Sequence, residues 1–142
     1  MPHICYYEDM QKVPKPLPAH IKKYAFDFRW DNKKLWNLSL DSEYMDVSEL
    51  LWHFDLPWLH TEGERFNLKP TEIMQDPLLY AQQYERTMQS DTTYPIDVMF
   101  NKGRWLILDG LHRLMKAHSE GHKTVKVRKI PHSYIPDIEI DS

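Results

Sequence analysis

Asp109, Gly110, His112 and Arg113 fall within five residues, and Lys116 follows one helical turn later. A carboxylate, an imidazole and a guanidinium around one glycine are the side chains that handle anions and protons. The apolar run Arg104-Trp105-Leu106-Ile107-Leu108 leads into Asp109-Gly110, and a helical pattern starts at once. The first turn of a helix carries unpaired N–H groups and the positive end of the dipole, which favours a phosphate. Gly110 lets the backbone approach such a ligand closely. Arg113 can fork onto phosphate oxygens, and His112 can donate to a phosphate or transfer a proton. Asp109 can cap the helix, orient Arg113 or help hold a magnesium ion. Each residue also has an ordinary role: a cap, a turn, a solvated imidazole, a surface ion pair. It is their grouping as strand, Asp-Gly-x-His-Arg, helix that carries information.

The flanking elements must position this turn. Ile96, Val98 and Phe100 alternate on a strand. Asn101-Lys102-Gly103 reads as a hairpin loop, and residues 104–108 as the return strand, whose unbroken apolarity predicts a central position. Leu111, Leu114, Met115 and His118 share one helical face. Residues 123–130 alternate as a strand, with Val125 and Val127 on one face and Lys126 and Arg128 on the other. Upstream, residues 70–89 read as helix. Pro77 is expected to begin a second segment, capped by Asp76, with Leu78, Ala81, Tyr84 and Met88 facing the core. Residues 44–59 have helical spacing at Val47, Leu50, Leu51 and Phe54, and residues 60–67 read as a loop. Trp30 and Trp36 flank a polar turn, expected as a small hairpin. Pro14, Pro16 and Pro18 break regular structure near the N-terminus.

The 142 residues fit one domain. Hydrophobic residues make up 42% and charged residues 27%, which excludes a disordered or fibrous chain. No apolar run approaches the roughly 18 residues of a membrane span, and the first residues lack a secretory pattern. One cysteine, Cys5, excludes an internal disulfide framework, so a cytoplasmic setting is expected. The net charge of −3 argues against general nucleic-acid binding. Its distribution is uneven: residues 41–97 carry 3 basic and 12 acidic side chains, whereas residues 102–130 carry 8 basic and 2 acidic ones. That asymmetry predicts a local anion site on an acidic protein. Gly121 is expected to end the helix between His118 and His122, which argues against a zinc site there.

Asp109-Gly110-Leu111-His112-Arg113, with Ala117, a following glycine and a strand, resembles the core of the ParB/sulfiredoxin superfamily. The resemblance spans roughly residues 44–131. It implies an α+β fold with a mixed sheet and packed helices, and a strand and short turn, not a helix, over residues 44–59. It divides the chain into an N-terminal extension (1–42), a ParB-like domain (43–131) and a C-terminal tail (132–142). Where sulfiredoxins carry a catalytic cysteine this chain has Leu111, so sulfiredoxin chemistry is not expected. Gly110 and Arg113 match the ends of the ParB Gly-Glu-Arg-Arg turn. With 11 residues after Pro131, no helix-turn-helix domain is expected, nor segregation-type DNA binding. Gly63-Glu64-Arg65 imitates that turn without an apolar strand before it.

The resemblance implies a nucleotide or other phosphate-bearing small molecule as ligand, with Mg²⁺ as its companion. Gly110, Leu111, His112, Arg113 and Lys116 are the candidate phosphate-binding residues, and Asp109 and His112 the candidate catalytic ones. Phosphotransferase or nucleotide hydrolase activity follows as the expected reaction class. Free-serine kinases of the superfamily use a carboxylate base from a less regular segment, for which Glu62 and Glu64 are the candidates here. A second reading is a non-catalytic protein-interaction module or homodimer, using the aromatic-rich surface. A third, nuclease activity, rests on the basic strand at 123–130.

Overall fold

The computed structural model describes residues 19–61 and 64–140, and the side chains within them except those of His20 and residues 60–66. Cys5, the prolines at 14, 16 and 18, Glu62 and Gly63 lie outside the described residues, as do the side chains of Glu64 and Arg65. Among the described residues there are six strands: β1 (Glu43–Asp46), β2 (Leu59–Thr61), β3 (Glu64–Leu68), β4 (Ile96–Asn101), β5 (Arg104–Asp109) and β6 (Thr124–Lys129). The helices are α1 (Ala19–Lys22), α2 (Asn32–Trp36), α3 (Pro70–Gln75), α4 (Ala81–Gln89), α5 (Leu111–Ser119) and α6 (Ile135–Ile138). The fold is therefore α+β. None of these helices is long and apolar enough to cross a membrane.

The main sheet has the order β1-β6-β4-β5, with β4 and β6 parallel and the other pairs antiparallel. The β4–β5 hairpin closes through two residues with positive φ, Lys102 at 51° and Gly103 at 84°. This conformation matches the twist of the flanking strands. The chain then runs through α5 and returns as β6 beside β4, the long crossover that a parallel pair requires. Leu111, Leu114 and Met115 of α5 are buried against the sheet, as their spacing predicts. His118 is not: it is exposed at the helix end, edge-on to the Phe54 ring, and Ala117 is buried instead.

Several expectations are corrected. The run Arg104–Leu108 is an edge strand, not a central one. It is apolar because other residues cover its open edge. His53, from a run of 3-10 turns at Leu51–Asp55, accepts the Ile107 N–H at Nε2 (3.2 Å), and Trp52 Nε1 donates to the Trp105 carbonyl at 3.2 Å. Phe100 is 48% exposed although Ile96 and Val98 are buried. After Pro77 the chain makes a turn, and α4 begins only at Ala81. Leu78 is 92% exposed and Ala81 is exposed, so this end of the expected stripe does not face the core, although Tyr84 packs against it. Gln83 and Thr87 do, because α4 packs on the polar flank of α5, where the Thr87 hydroxyl bonds the Gln83 carbonyl and contacts Met115. Residues 43–55 form a strand and 3-10 turns, not the helix their spacing allowed, and β2 and β3 pair where a loop was expected.

The segment before β1 packs into the body. Residues 32–36 form α2, not the hairpin expected between Trp30 and Trp36, because the Asp31 carboxylate caps the helix by accepting the Lys33 N–H at 2.8 Å. Ile21 and Leu35 are fully buried. The tail meets this segment directly. Trp30 bridges Glu139, the Asp31 N–H donates to the Ile138 carbonyl and the Ile140 N–H to that of Arg29.

Candidate functional site

The β4–β5 ladder contains an irregularity. Val98 stands opposite Ile107, yet the next β4 residue, Asp97, stands opposite Asp109. Leu108 is the extra residue, which makes a β-bulge at the end of β5. Strict alternation would place Asp109 on the Ile107 face. The bulge turns it onto the Asp97 face, and both carboxylates line one cavity of about 310 Å³. On the other side of β4, Asp97 faces Arg128 of β6. One row across three strands thus reads Asp109, Asp97, Arg128.

Both carboxylates are buried, Asp97 at 3% and Asp109 at 2% exposure. Each takes its own arginine. Arg128 forks onto Asp97, Nε to Oδ1 at 2.7 Å and Nη2 to Oδ2 at 3.2 Å, and also donates to the carbonyls of Leu35 and Leu38. Arg113, one turn into α5, donates to Asp109 Oδ2 at 3.1 Å and to the Pro95 carbonyl. Trp36 of α2 donates its indole N–H to the same Asp109 oxygen at 2.8 Å. Burial pushes the Asp97 carboxyl above its ordinary value. The bonds and charge of Arg128 oppose that rise, and the neighbouring Asp109 adds to it. Trp36, Tyr94 and Pro95 complete the wall of the cavity.

The sequence-predicted residues separate. Asp109 and Arg113 come together in this cavity, and of the roles open to Asp109 the structure shows the orienting one. The N-cap position belongs to Gly110, with no side-chain cap bond. Gly110 has φ +117°, and a Cβ there would lie 3.1–3.2 Å from Ile96. Its lack of a side chain therefore serves the packing of α5 on β4. Leu111 is in the core. His112 turns toward α4, with Nε2 at 2.9 Å from Gln83 Oε1, and lines neither this cavity nor the one described next. Lys116 Nζ donates to the Ser90 carbonyl at 2.9 Å.

A second cavity, about 280 Å³, adjoins the first and shares Tyr94 and Arg113 with it. Its lining includes His122, Thr124 and Lys126, and no carboxylate. Sequence reasoning missed Trp36, Tyr94 and Asp97, and gave Arg128 only a generic role on a basic strand. The available signal was the single acidic residue in Pro-Ile-Asp-Val-Met-Phe: a carboxylate in a central strand is rarely buried without a partner. Among the described residues no group of three or more potential metal ligands is clustered. Compared with protein-family models, with curated proteins and with solved structures, the chain matches none.

Proposed function

We propose that this chain is a ParB-like binding domain for a nucleotide or another phosphate-bearing small molecule, with Arg113 as its phosphate contact. The observation that carries the reading is the position of Arg113. It is held by Asp109 and the Pro95 carbonyl at the wall between two cavities of different chemistry. One side offers an indole, a phenol ring and two carboxylates, which suit a ring and its hydroxyl or amino groups. The other offers basic and hydroxyl groups, which suit phosphate oxygens. Magnesium enters on the phosphates of the ligand, since Asp97 and Asp109 are already paired with arginines. Phosphoryl transfer or hydrolysis is the reaction class for which this arrangement has the parts: positioning and charge neutralisation.

The test is thermal unfolding with CTP, ATP, ADP and GTP, each with Mg²⁺, since a ligand that binds only the folded state raises its stability. A shift with one nucleotide is expected in the wild type and is lost in Arg113→Ala. Trp36→Phe keeps Arg113 and the ring while removing one bond to Asp109, so it is expected to weaken the shift without abolishing it. No shift with any of these nucleotides sinks the nucleotide reading.

A protein-interaction role is the second reading. One observation favours it: Leu78 and Leu79 are 92% and 67% exposed at the turn before α4. Sedimentation of the wild type beside Leu78→Ser tests it, because a dimer seated there dissociates in the variant.

A further inference from the structure

We propose that the 280 Å³ cavity between β1, β6 and α5 is an anion site that holds the phosphate end of a phosphorylated small molecule, with Lys126 as its charge and Arg113 as a hydrogen-bond donor. The proposal rests on the functional reading above and divides its ligand between the two cavities.

The first argument is charge. The two cavities share a wall but differ in charge balance. The larger one contains two aspartates against two arginines. The smaller contains Arg113, Lys126 and His122 with no carboxylate in its lining. Asp91 and Glu120 lie against residues of its lining, and Asp109 of the larger cavity bonds Arg113 itself. Asp91 accepts the Thr93 hydroxyl at 2.6 Å and the Thr93 N–H at 2.9 Å. Those bonds, with the charges of Lys116 and Arg113, hold Asp91 below its ordinary range. Glu120 lies 3.8 Å from His122. In a chain of net charge −3 this is a local shift in that balance.

The second argument compares two residues on one face of β6. Arg128 makes four hydrogen bonds, two to Asp97 and two to backbone carbonyls. Lys126, two residues earlier, has a single long bond of 3.5 Å to the Thr93 carbonyl. Arg128 is saturated by the fold, and Lys126 retains donors for a ligand. Its cross-strand partner is Tyr44, which also lines the cavity, and Thr124 adds a hydroxyl from the same strand face.

The third argument is room. Ala117 lies one turn beyond Arg113 on α5, and its methyl group leaves the space between helix and strand open. The volume is near the lower end of those that hold small ligands. A phosphomonoester or a pyrophosphate is matched by the Lys126 ammonium, by the guanidinium N–H groups that Arg113 does not spend on Asp109 and Pro95, and by the surrounding hydroxyl donors. Because Arg113 and Tyr94 line both cavities, the organic part of the same ligand extends toward Trp36 and Asp109.

The experiment titrates wild type, Lys126→Glu and Lys123→Ala with inorganic pyrophosphate and with the nucleotides above, by calorimetry at low and physiological salt. Lys126 is partly exposed on β6, and native tryptophan fluorescence checks that its variant is folded. Pyrophosphate is expected to bind the wild type and Lys123→Ala alike, more weakly at higher salt, and at least tenfold more weakly to Lys126→Glu. Equal pyrophosphate affinity in Lys126→Glu and wild type overturns the anion site. Nucleotide binding that persists in Lys126→Glu and vanishes in Arg113→Ala also overturns it, while the functional reading stands. Pyrophosphate binding that needs Lys126, with no nucleotide binding more tightly, supports the anion site and sinks the nucleotide reading. Binding of neither ligand to the wild type overturns both.

Discussion

Asp97 and Asp109 stand directly opposite each other on β4 and β5, both buried, one residue from a β-bulge. Like charges in that position repel. The fold resolves the conflict by bringing an arginine to each from a different direction. Arg128 comes along the sheet from β6, and Arg113 comes down from the first turn of α5. The acidic pair and the two arginines form one charge-balanced unit that ties β5, β4, β6, α5 and, through the carbonyls of Leu35 and Leu38, the segment around α2.

Removing one partner of this unit leaves a buried charge. Arg128→Met is expected to cost about 3–5 kcal/mol in urea unfolding at pH 7. Asp97 already has a folded-state pKa above its ordinary value, and loss of Arg128 raises it further. A carboxyl whose pKa is raised in the folded state contributes stability below its unfolded value and loses it as pH rises through the folded one. The deficit of Arg128→Met relative to wild type is therefore smaller at pH 4.5 than at pH 7. An equal deficit at both values refutes the assignment of the cost to Asp97.

His53 gives the wild type a distinct acid limb. Its Nδ1 faces the Leu50 carbonyl at 2.7 Å and its Nε2 accepts the Ile107 N–H, so the folded state holds it neutral. Burial lowers its pKa from 6.5 to about 3. The unfolded chain binds this proton more readily, so the stability is present above pH 6.5 and is lost as pH falls toward 3. Between pH 6.5 and 5 the expected loss is about 2 kcal/mol. His53→Gln keeps an acceptor for the edge of β5 but cannot titrate. It is expected to be less stable than wild type at pH 7 and to have a flatter profile from 6.5 to 5. A profile as steep as that of wild type contradicts this account.

Gly110→Ala strains both backbone and packing. The residue has φ +117°, and the new methyl group meets the Ile96 backbone as well as its side chain. A loss of about 1–3 kcal/mol is expected in urea unfolding. Ile96→Ala in the same chain relieves the side-chain contact but not the torsion, so the double variant does not recover the stability of Ile96→Ala alone. Full recovery would show that the conformation itself is not strained.

What the sequence determined by itself is local. Asn101-Lys102-Gly103 specifies a hairpin loop, and the spacing of Leu111, Leu114 and Met115 specifies a helix packed on a sheet. The alternation from Thr124 to Lys129 separates Val125 and Val127 from Lys126 and Arg128. Each of these signals acts between residues a few positions apart, where sterics and periodicity suffice. Only the tertiary structure decided that β5 lies at an edge, because His53 and Trp52, more than 50 residues away, satisfy the edge that its apolar sequence conceals. Only the tertiary structure decided the site. The bulge at Leu108 reverses the face of Asp109, and the carbonyls that hold Arg128 come from residues 90 and 93 positions earlier. Strand order, register and burial of charge depend on such distant pairings. A buried aspartate and a solvated one look alike in sequence until the partner that neutralises one of them is in place.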